Sequence, residues 1–212
     1  MSTLQQLKRA GSIALWHDYR SGHAYDFSGN NNHGTLVNNP TLTRNGFQFD
    51  YLSDSAIQVS NSASLNITTL TLFALFGTGR CAQFNNTPQL FRKHDPTGFD
   101  WGVRLDESST IVRIDGGASK AYNITREFAG IKGVSMGLSE GADTTKLFVD
   151  GVFNVDISGE FGFNGVNADV YIGNWYQLNR GVGRTISAML LFNRLLTETE
   201  HAQIFGEIVR GG

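Results

Sequence analysis

The sequence predicts an all-β protein in which two antiparallel sheets pack face to face as a sandwich. Two observations predict it: residues that favour tight turns are abundant, and short apolar stretches follow one another along the chain. The 212 residues include 25 Gly and 17 Asn, but 7 Glu and 3 Pro. Gly and Asn tolerate the backbone conformations of tight turns, whereas Glu is typical of helix surfaces. This composition argues against an all-helical protein, and the length suits one domain with a single core.

The chain begins with a short segment that differs from the rest. Leu4 and Leu7 lie three residues apart among polar neighbours and Gly11 ends the stretch, which predicts a short amphipathic helical turn over residues 2–10. We interpret residues 1–11 as an N-terminal appendage that docks on a neighbouring subunit. Residues 12–212 are interpreted as a single domain, because no linker, low-complexity tract or internal repeat interrupts them.

From Ile13 onward, short apolar stretches are bounded by Gly, Asn, Asp or Ser, which is the pattern of strands joined by turns. Twelve strands are predicted, and that number implies two sheets. They cover residues 13–19, 46–50, 56–59, 69–76, 89–93, 99–105, 110–114, 131–138, 145–149, 152–157, 170–172 and 185–192. The strand over residues 69–76 is apolar on both faces in its second half, so we expect it at the centre of a sheet.

Two local signals are stronger than the others. Asp150-Gly151 separates two apolar stretches, and this pair favours the type I′ turn of a β-hairpin. Thr197 precedes Glu200 by three residues, which is the spacing of a capping box, and an apolar stripe follows. These signals predict a hairpin at 150–151 and one closing helix from Glu198 to about Val209.

Four segments resemble, in order, motifs of one superfamily. Residues 25–36 (YDFSGNNNHGTL) are similar to its early turn, and residues 46–50 (GFQFD) with 57–67 (IQVSNSASLNI) to its next strands. Residues 146–153 (KLFVDGVF) are similar to its hairpin, and residues 171–174 (YIGN) with 186–197 (ISAMLLFNRLLT) to its last strands. The chain thus resembles the laminin-G-like branch of the concanavalin A-like lectin/glucanase superfamily, LamG and pentraxin domains included. The resemblance implies a two-sheet antiparallel jelly roll of at most about fourteen strands over residues 12–212.

The resemblance does not by itself imply one function, because the superfamily includes lectins, calcium-dependent adhesion modules, polysaccharide hydrolases and structural modules. The 17 basic and 19 acidic residues form no run of like charge, so we expect no nucleic-acid partner held through its phosphates. No apolar stretch reaches about 18 residues, so we expect no membrane insertion. Residues 1–9 lack the apolar region of a secretory signal and Cys81 is the single cysteine, so we expect synthesis in the cytoplasm without a signal peptide.

Asp26 and Asn30 are the candidate metal ligands, because carboxylate and amide oxygens in a loop suit calcium. The alternative is that Asp26 and its neighbours bond nearby amides and stiffen the turn without a metal. The superfamily pattern has a carboxylate where this chain has Ser187 and Ala188, which weakens an inherited calcium site. His17, His23 and His33 match no zinc spacing, so we expect ordinary polar loop histidines and no other cofactor.

No catalytic residues are predicted. The retaining glucanases of the superfamily carry Glu-x-Asp-x-x-Glu on one strand, which places an acid and a nucleophile together, and none of the seven glutamates begins that motif here. Ser135 lies in a segment with the Gly-x-Ser-x-Gly spacing (GVSMG, residues 133–137), but this segment falls within the predicted strand over residues 131–138 and not in the strand-to-helix turn of a nucleophile elbow. We therefore expect a protein that is not an enzyme, with a polysaccharide-degrading glycosidase as the least favoured alternative.

The candidate glycan-binding residues are aromatic side chains and their polar neighbours. Sugars stack their apolar faces on Trp and Tyr, and Asn and Arg form hydrogen bonds with sugar hydroxyl groups. Trp175, Tyr176, Asn179 and Arg180 lie in one loop between two late strands, and Trp101 and Tyr122 are weaker candidates. The alternative is that Trp175 or Trp101 fills one end of the sandwich.

The leading hypothesis is a non-catalytic, lectin-like surface-contact module that serves as a structural, decoration or adhesion component of a phage virion. Its partners would be other virion or surface protein subunits, further copies of the same chain included. The second hypothesis keeps the fold and makes recognition of cell-surface glycans the purpose, as in a lectin or adhesin. Both follow from elimination and from the resemblance.

Overall fold

The computed structural model describes residues 1–50, 54–77, 89–95, 98–105, 111–116, 118–123, 132–139, 144–158, 167–175, 177 and 181–210. Within them the chain forms fifteen strands and two α-helices. The helices are α1 (Thr3–Arg9) and α2 (Glu198–Arg210). The strands are β1 (Ile13–Asp18), β2 (Gly34–Val37), β3 (Thr41–Thr43), β4 (Gly46–Gln48), β5 (Ala56–Val59), β6 (Thr69–Phe76), β7 (Gln89–Asp95), β8 (Gly98–Leu105), β9 (Ile111–Gly116), β10 (Ala118–Asn123), β11 (Lys132–Ser139), β12 (Thr144–Val149), β13 (Val152–Ser158), β14 (Val170–Ile172) and β15 (Thr185–Phe192).

The strands form two antiparallel sheets. The first has eight strands in the order β13-β12-β11-β6-β15-β4-β3, with β1 also paired to β15, and the second has seven in the order β10-β9-β8-β7-β14-β5-β2. The predicted all-β, two-sheet jelly-roll sandwich is confirmed. Each of the twelve predicted strands is present, and β2, β3 and β10 are additional. The described part of the chain therefore has one strand more than the number that the resemblance implies.

The first sheet is apolar on both faces, and β6 explains why. Leu72 and Ala74 point into the core between the two sheets, whereas Phe73 and Leu75 point to the opposite face. There α1 and α2 cover the sheet through Leu4, Leu7, Ile204 and Ile208. Burial of both faces removes apolar area from water on each side, which stabilises the sheet at about 25 cal/mol per Å² buried. The expectation of a central strand over residues 69–76 is confirmed.

Helix α1 packs on its own chain. Leu4 and Leu7 are buried, and the carboxylate of Glu207 on α2 accepts the amide hydrogens of Thr3 (2.5 Å) and Leu4 (3.1 Å). Partial burial works to raise the pKa of Glu207, but these hydrogen bonds outweigh it and the pKa is lowered. The segment interpreted as an appendage thus has a docking place on α2, and the domain division at residue 11 stays a prediction.

Both local signals of the sequence are confirmed. Asp150 and Gly151 have φ values of +54° and +74° at the turn between β12 and β13. At the start of α2, the Thr197 amide donates to Glu200 Oε2 (2.8 Å) and the Glu200 amide to Thr197 Oγ1 (3.3 Å), as in a capping box. In the described part of the chain, neither helix is long and apolar enough to cross a membrane.

Candidate functional site

The predicted glycan loop is described at one of its four residues. Trp175 is half-buried, and the Arg92 guanidinium carbon lies 5.4 Å from the centroid of its indole ring. The His94 ring meets the same indole edge-on at 5.4 Å. Trp175 therefore already stacks against side chains of the second sheet. Tyr176, Asn179 and Arg180 lie outside the described residues, as does the Tyr122 side chain, so the loop stays a prediction.

The prediction of Trp101 as a glycan-binding residue is wrong. Its side chain is completely buried in the core between the sheets, where its ring centroid lies 4.8 Å from that of Phe91. A ring without exposed surface offers no face for a sugar to stack on. Trp101 is the core aromatic that the alternative interpretation describes, because β8 points it inward.

The turn around Asp26 is organised by hydrogen bonds. Asp26 Oδ1 accepts the amides of Trp16 (3.0 Å) and Ser28 (2.9 Å), and Oδ2 accepts the Asn32 amide (2.9 Å) and the Ser28 hydroxyl (2.7 Å). The Asn30 side-chain amide donates to the carbonyl oxygens of Ile13 (2.8 Å) and Ala14 (3.2 Å).

These bonds decide whether the turn suits calcium. A carboxylate has about four acceptor positions, so Asp26 has none left for a cation. No group of three or more His, Cys, Asp or Glu side chains that suits a metal occurs among the residues the structure describes. The turn does not fit a calcium ion and matches the alternative, structural interpretation. Calcium binding by the protein stays a prediction.

His17 is a buried strand residue rather than the loop histidine that the sequence suggests. Its Nε2 lies 2.8 Å from the Asn32 carbonyl oxygen, and its Nδ1 lies 3.0 Å from the Tyr19 hydroxyl. Because a carbonyl can only accept, Nε2 carries the proton and Nδ1 accepts the Tyr19 O–H. Burial lowers the pKa of His17 to about 4, so the ring is neutral at pH 7.

His23 and His33 form an exposed aromatic group with Tyr25. Their ring centroids lie 4.9 Å and 5.7 Å from that of Tyr25. His33 Nδ1 also accepts the Asp26 amide hydrogen at 3.0 Å, so this nitrogen belongs to the turn. His23 and His33 are thus exposed loop histidines, and His17 is a buried strand histidine. All three take part in ring contacts or hydrogen bonds within the fold.

A cleft that the sequence did not indicate lies on the outer face of the first sheet, next to the end of α2. Its volume is about 700 Å³. Strand β1 points Trp16 and Asp18 outward and His17 inward, and the β3–β4 turn adds Arg44. The lining residues are Trp16, Asp18, Arg20, Ser21, Phe27, Arg44, Asn45, Leu75, Ser187 and Val209.

The aromatic pair of this cleft depends on the Asp26 turn. The Phe27 amide donates to the Trp16 carbonyl (2.8 Å), and the Trp16 amide donates to Asp26 Oδ1 (3.0 Å). The two ring centroids then lie 5.9 Å apart at 58°. Phe27 is 40% exposed and Trp16 is half-buried against the helix-covered face, so both contribute surface to the cleft.

Of the described charged residues that line the cleft, Asp18 and Arg20 form an ion pair with each other and Arg44 does not. Arg20 holds Asp18 through Nε (2.8 Å) and Nη2 (2.6 Å), and its Nη1 donates to the Ile208 carbonyl at the end of α2. The hydrogen bond with Asp18 is the largest influence on Arg20 and raises its pKa. Arg44 is exposed and has no ion pair among the described residues. The buried Ser187 hydroxyl also lacks a hydrogen-bond partner there.

One signal for this cleft is present in the sequence. Trp16 and Asp18 alternate with buried residues on β1, which places a tryptophan and a carboxylate on one face. What completes the cleft comes from separate segments: Phe27 from the turn, Arg44 from the β3–β4 turn and Ser187 from β15. No spacing rule links them, so the sequence could not indicate that they meet.

Comparison with solved structures shows the fold. The binding domain of a paraclostridial mosquitocidal protein has a TM-score of 0.71 at 16% identity, over 94% of this chain and 52% of the other. The binding domain of botulinum neurotoxin DC, solved in complex with SialylT, has a TM-score of 0.71 at 12% identity, over 93% and 52%. Domain 4 of AbnA, an arabinanase from Geobacillus stearothermophilus solved with arabinotriose, has a TM-score of 0.64 at 15% identity, over 91% and 98%.

This chain therefore spans about half the length of both binding-domain chains and nearly all of the arabinanase domain. No protein-family model and no curated protein sequence matches it. The neighbours are β-sandwich domains of the same architecture. The laminin-G-like assignment itself stays an expectation from the sequence motifs.

Proposed function

We propose that this chain is a carbohydrate-binding module that holds a saccharide in the cleft on the outer face of the first sheet and does not cleave it. The observation that carries the proposal is the pair Trp16 and Phe27, which shares one cleft with Arg44 and Asn45. Aromatic faces stack on sugar rings, and nearby polar groups fix the orientation of a ligand. A volume of about 700 Å³ lies within the range of small-molecule sites, about 300–1,000 Å³.

The structural neighbours support a binding role. One of them, whose chain is matched almost completely, was solved with arabinotriose, and another with SialylT. Those ligands belong to those proteins. They indicate that this architecture is compatible with saccharide recognition, and the residues of the present cleft supply the chemistry for it.

The cleft favours binding over hydrolysis. Glycosidases use two carboxyl groups about 5–9.5 Å apart on either side of the scissile bond. Among the described residues that line this cleft, Asp18 is the carboxylate, and Arg20 holds both of its oxygens. A carboxylate engaged in this way is poorly placed as a nucleophile or a base.

A glycan array with the purified protein tests the proposal, and three variants locate the site. We expect saturable binding that Trp16→Ala weakens by at least about tenfold, because it removes the stacking surface. Phe153→Ala is the matched control, since Phe153 is 43% exposed and lies outside the cleft. Trp175→Ala tests the loop: loss of binding in this variant alone would move the site there.

Two further results would contradict the proposal. One is the absence of binding to any saccharide while the folded state, followed by circular dichroism, is intact. The other is depolymerisation of a polysaccharide by the purified protein, abolished by one carboxylate substitution, since this would make the protein a glycosidase.

We further propose that the module is carried on the surface of an assembled phage particle, as an adhesion or decoration component. The support is the sequence argument, which joins the missing catalytic motif to a resemblance with surface modules. Reading frames next to its gene are expected to encode capsid, tail or portal proteins. Neighbouring genes for sugar metabolism would contradict this part of the proposal.

A further inference from the structure

We infer that the cleft selects an acidic saccharide, with Arg44 as the residue that binds the sugar carboxylate. The inference rests on the proposed function and adds the chemical class of its ligand. It follows from three properties of the cleft: its charge, its supply of hydrogen-bond donors and the rigid attachment of the turn that carries Arg44.

The first property is an uncompensated positive charge. Asp18 and Arg20 neutralise each other through two short contacts, Nε to Oδ1 at 2.8 Å and Nη2 to Oδ2 at 2.6 Å. Arg44 faces the same cleft, and no described residue forms an ion pair with it. The described lining residues thus leave one net positive charge. A guanidinium presents a planar pair of donors that matches a carboxylate.

The second property is the supply of hydrogen-bond donors. Arg44 presents guanidinium N–H groups that no described residue accepts, whereas Asp18, the carboxylate among the described lining residues, has both oxygens occupied by Arg20. The buried Ser187 hydroxyl and the Asn45 amide can each donate and accept, so they do not change this balance. A carboxylate only accepts, so it suits the free N–H groups of Arg44.

The third property is that the turn between β3 and β4 is held firmly in place. Thr43 Oγ1 donates to the Gly46 carbonyl (2.9 Å) and accepts the Asn45 amide (3.2 Å), which closes the turn around Arg44. Gly46 has a φ of +121°, and a Cβ there would lie 2.2 Å from the Ile186 carbonyl oxygen. The backbone of the turn therefore packs closely against β15 next to Ser187. Because this backbone is held in place, the guanidinium of Arg44 can occupy a restricted set of positions.

The aromatic pair explains why the ligand is a sugar acid rather than a small anion. Trp16 and Phe27 contribute apolar ring surface to the same cleft. Sulfate or acetate would pair with Arg44 but would leave this surface uncovered. A saccharide that carries a carboxylate covers the rings with its apolar face and reaches Arg44 with its charge.

Titration calorimetry with two matched pairs of ligands tests the inference: sialyllactose against lactose, and trigalacturonate against galactotriose. We expect the wild-type protein to bind at least one acidic member about tenfold more tightly than its neutral counterpart, and we expect added salt to reduce the difference. Arg44→Gln is expected to abolish the preference and Arg44→Lys to keep part of it, since a lysine retains the charge without the planar donors. Arg9→Gln is the control, because Arg9 is exposed on α1 outside the cleft.

The outcomes separate the inference from the proposed function. Equal binding of acidic and neutral sugars, unchanged in Arg44→Gln, overturns the inference and leaves the module a carbohydrate binder. Binding of sulfate or acetate as tight as that of the sugar acids overturns the saccharide part and leaves an anion site. The absence of binding to any saccharide in the array overturns the inference together with the proposed function.

Discussion

Asp26 joins its own turn to strand β1 through hydrogen bonds, and the sequence motif indicates the turn alone. The motif marks a polar turn, and the structure adds that both carboxylate oxygens are occupied by donors of the turn and of β1. One of these donors is the Trp16 amide, and the next residue after Asp26 is Phe27. The carboxylate therefore connects the stability of the turn to the placement of the aromatic pair in the cleft.

Replacing Asp26 with Asn is expected to lower the free energy of unfolding by about 1–3 kcal/mol, because an amide nitrogen would face amide donors and leave them unsatisfied. Urea denaturation measures the change. Asp54→Asn is the matched control, since Asp54 is exposed, and is expected to change stability by less than about 0.5 kcal/mol. Melting in calcium chloride and in EDTA should give the same midpoint. A midpoint that calcium raises in the wild type but not in Asp26→Asn would instead support the calcium site.

At the scale of elements, the β12–β13 hairpin packs closely against α2 at Gly151. Gly151 has a φ of +74°, and a Cβ there would lie 2.9 Å from the Ala202 Cα and 3.0 Å from the Phe205 Cβ. The residue thus satisfies two demands, the left-handed conformation of the turn and the close approach of the helix. A sequence pattern shows the first demand but not the second.

A comparison with Gly11 distinguishes the cost of the left-handed conformation from the cost of the contact with α2. Gly11 has a φ of +67°, but nothing lies within 4 Å of the position of a Cβ there. We expect Gly11→Ala to cost about 1–2 kcal/mol, which is the cost of the left-handed conformation alone. Gly151→Ala should cost a further 1–3 kcal/mol or so, because the methyl group pushes on α2. Guanidinium denaturation of the two variants measures both values. Equal losses would mean that α2 moves aside without cost.

At the scale of the whole molecule, two buried histidines couple the fold to pH. His17 lies beside Tyr19 at the inner face of β1. His201 lies on the side of α2 that faces the first sheet, where its Nδ1 is 2.6 Å from Ser135 Oγ and its ring stacks on Phe148 with the centroids 3.9 Å apart. Burial lowers the pKa of each from 6.5 to about 4, although Asp26 acts on His17 and Glu200 and Glu198 on His201 in the opposite direction. Each folded-state pKa is therefore below its unfolded value.

The sign of the resulting pH dependence follows directly. Between about pH 6.5 and 4 the unfolded chain binds protons that the folded chain does not, so stability is lost as the pH falls through this window. Each histidine accounts for a loss of roughly 3 kcal/mol, most of it by pH 4, and the loss levels off below that pH. Urea midpoints of His17→Gln and His201→Gln should each show a smaller slope in this window. His23→Gln, with an exposed ring, should match the wild type; an unchanged slope in both buried variants would contradict the assignment.

Much of the fold could be predicted because its signals are local. Alternating apolar residues, the Asp-Gly pair and the Thr-x-x-Glu spacing act through neighbouring backbone, so they predicted twelve strands, the hairpin and the closing helix. Strands β2 and β3 were missed since they are short and largely exposed, and pairing with β5 and β4 is what orders them. The cleft beside Trp16 was not predicted and Trp101 was predicted wrongly, because both residues lie in strands and their sequences do not show which face is covered.

By itself, the sequence determined the order of strands and turns and the absence of long runs of charge, since these depend on residues adjacent along the chain. Only the tertiary structure decided which aromatic residues reach the surface. Trp101 faces the opposite sheet and is sealed in the core, whereas Trp16 faces outward where α1 and α2 leave part of the first sheet uncovered. Exposure is a property of what packs on each face. The covering residues come from segments far apart in the sequence, so no local pattern specifies them.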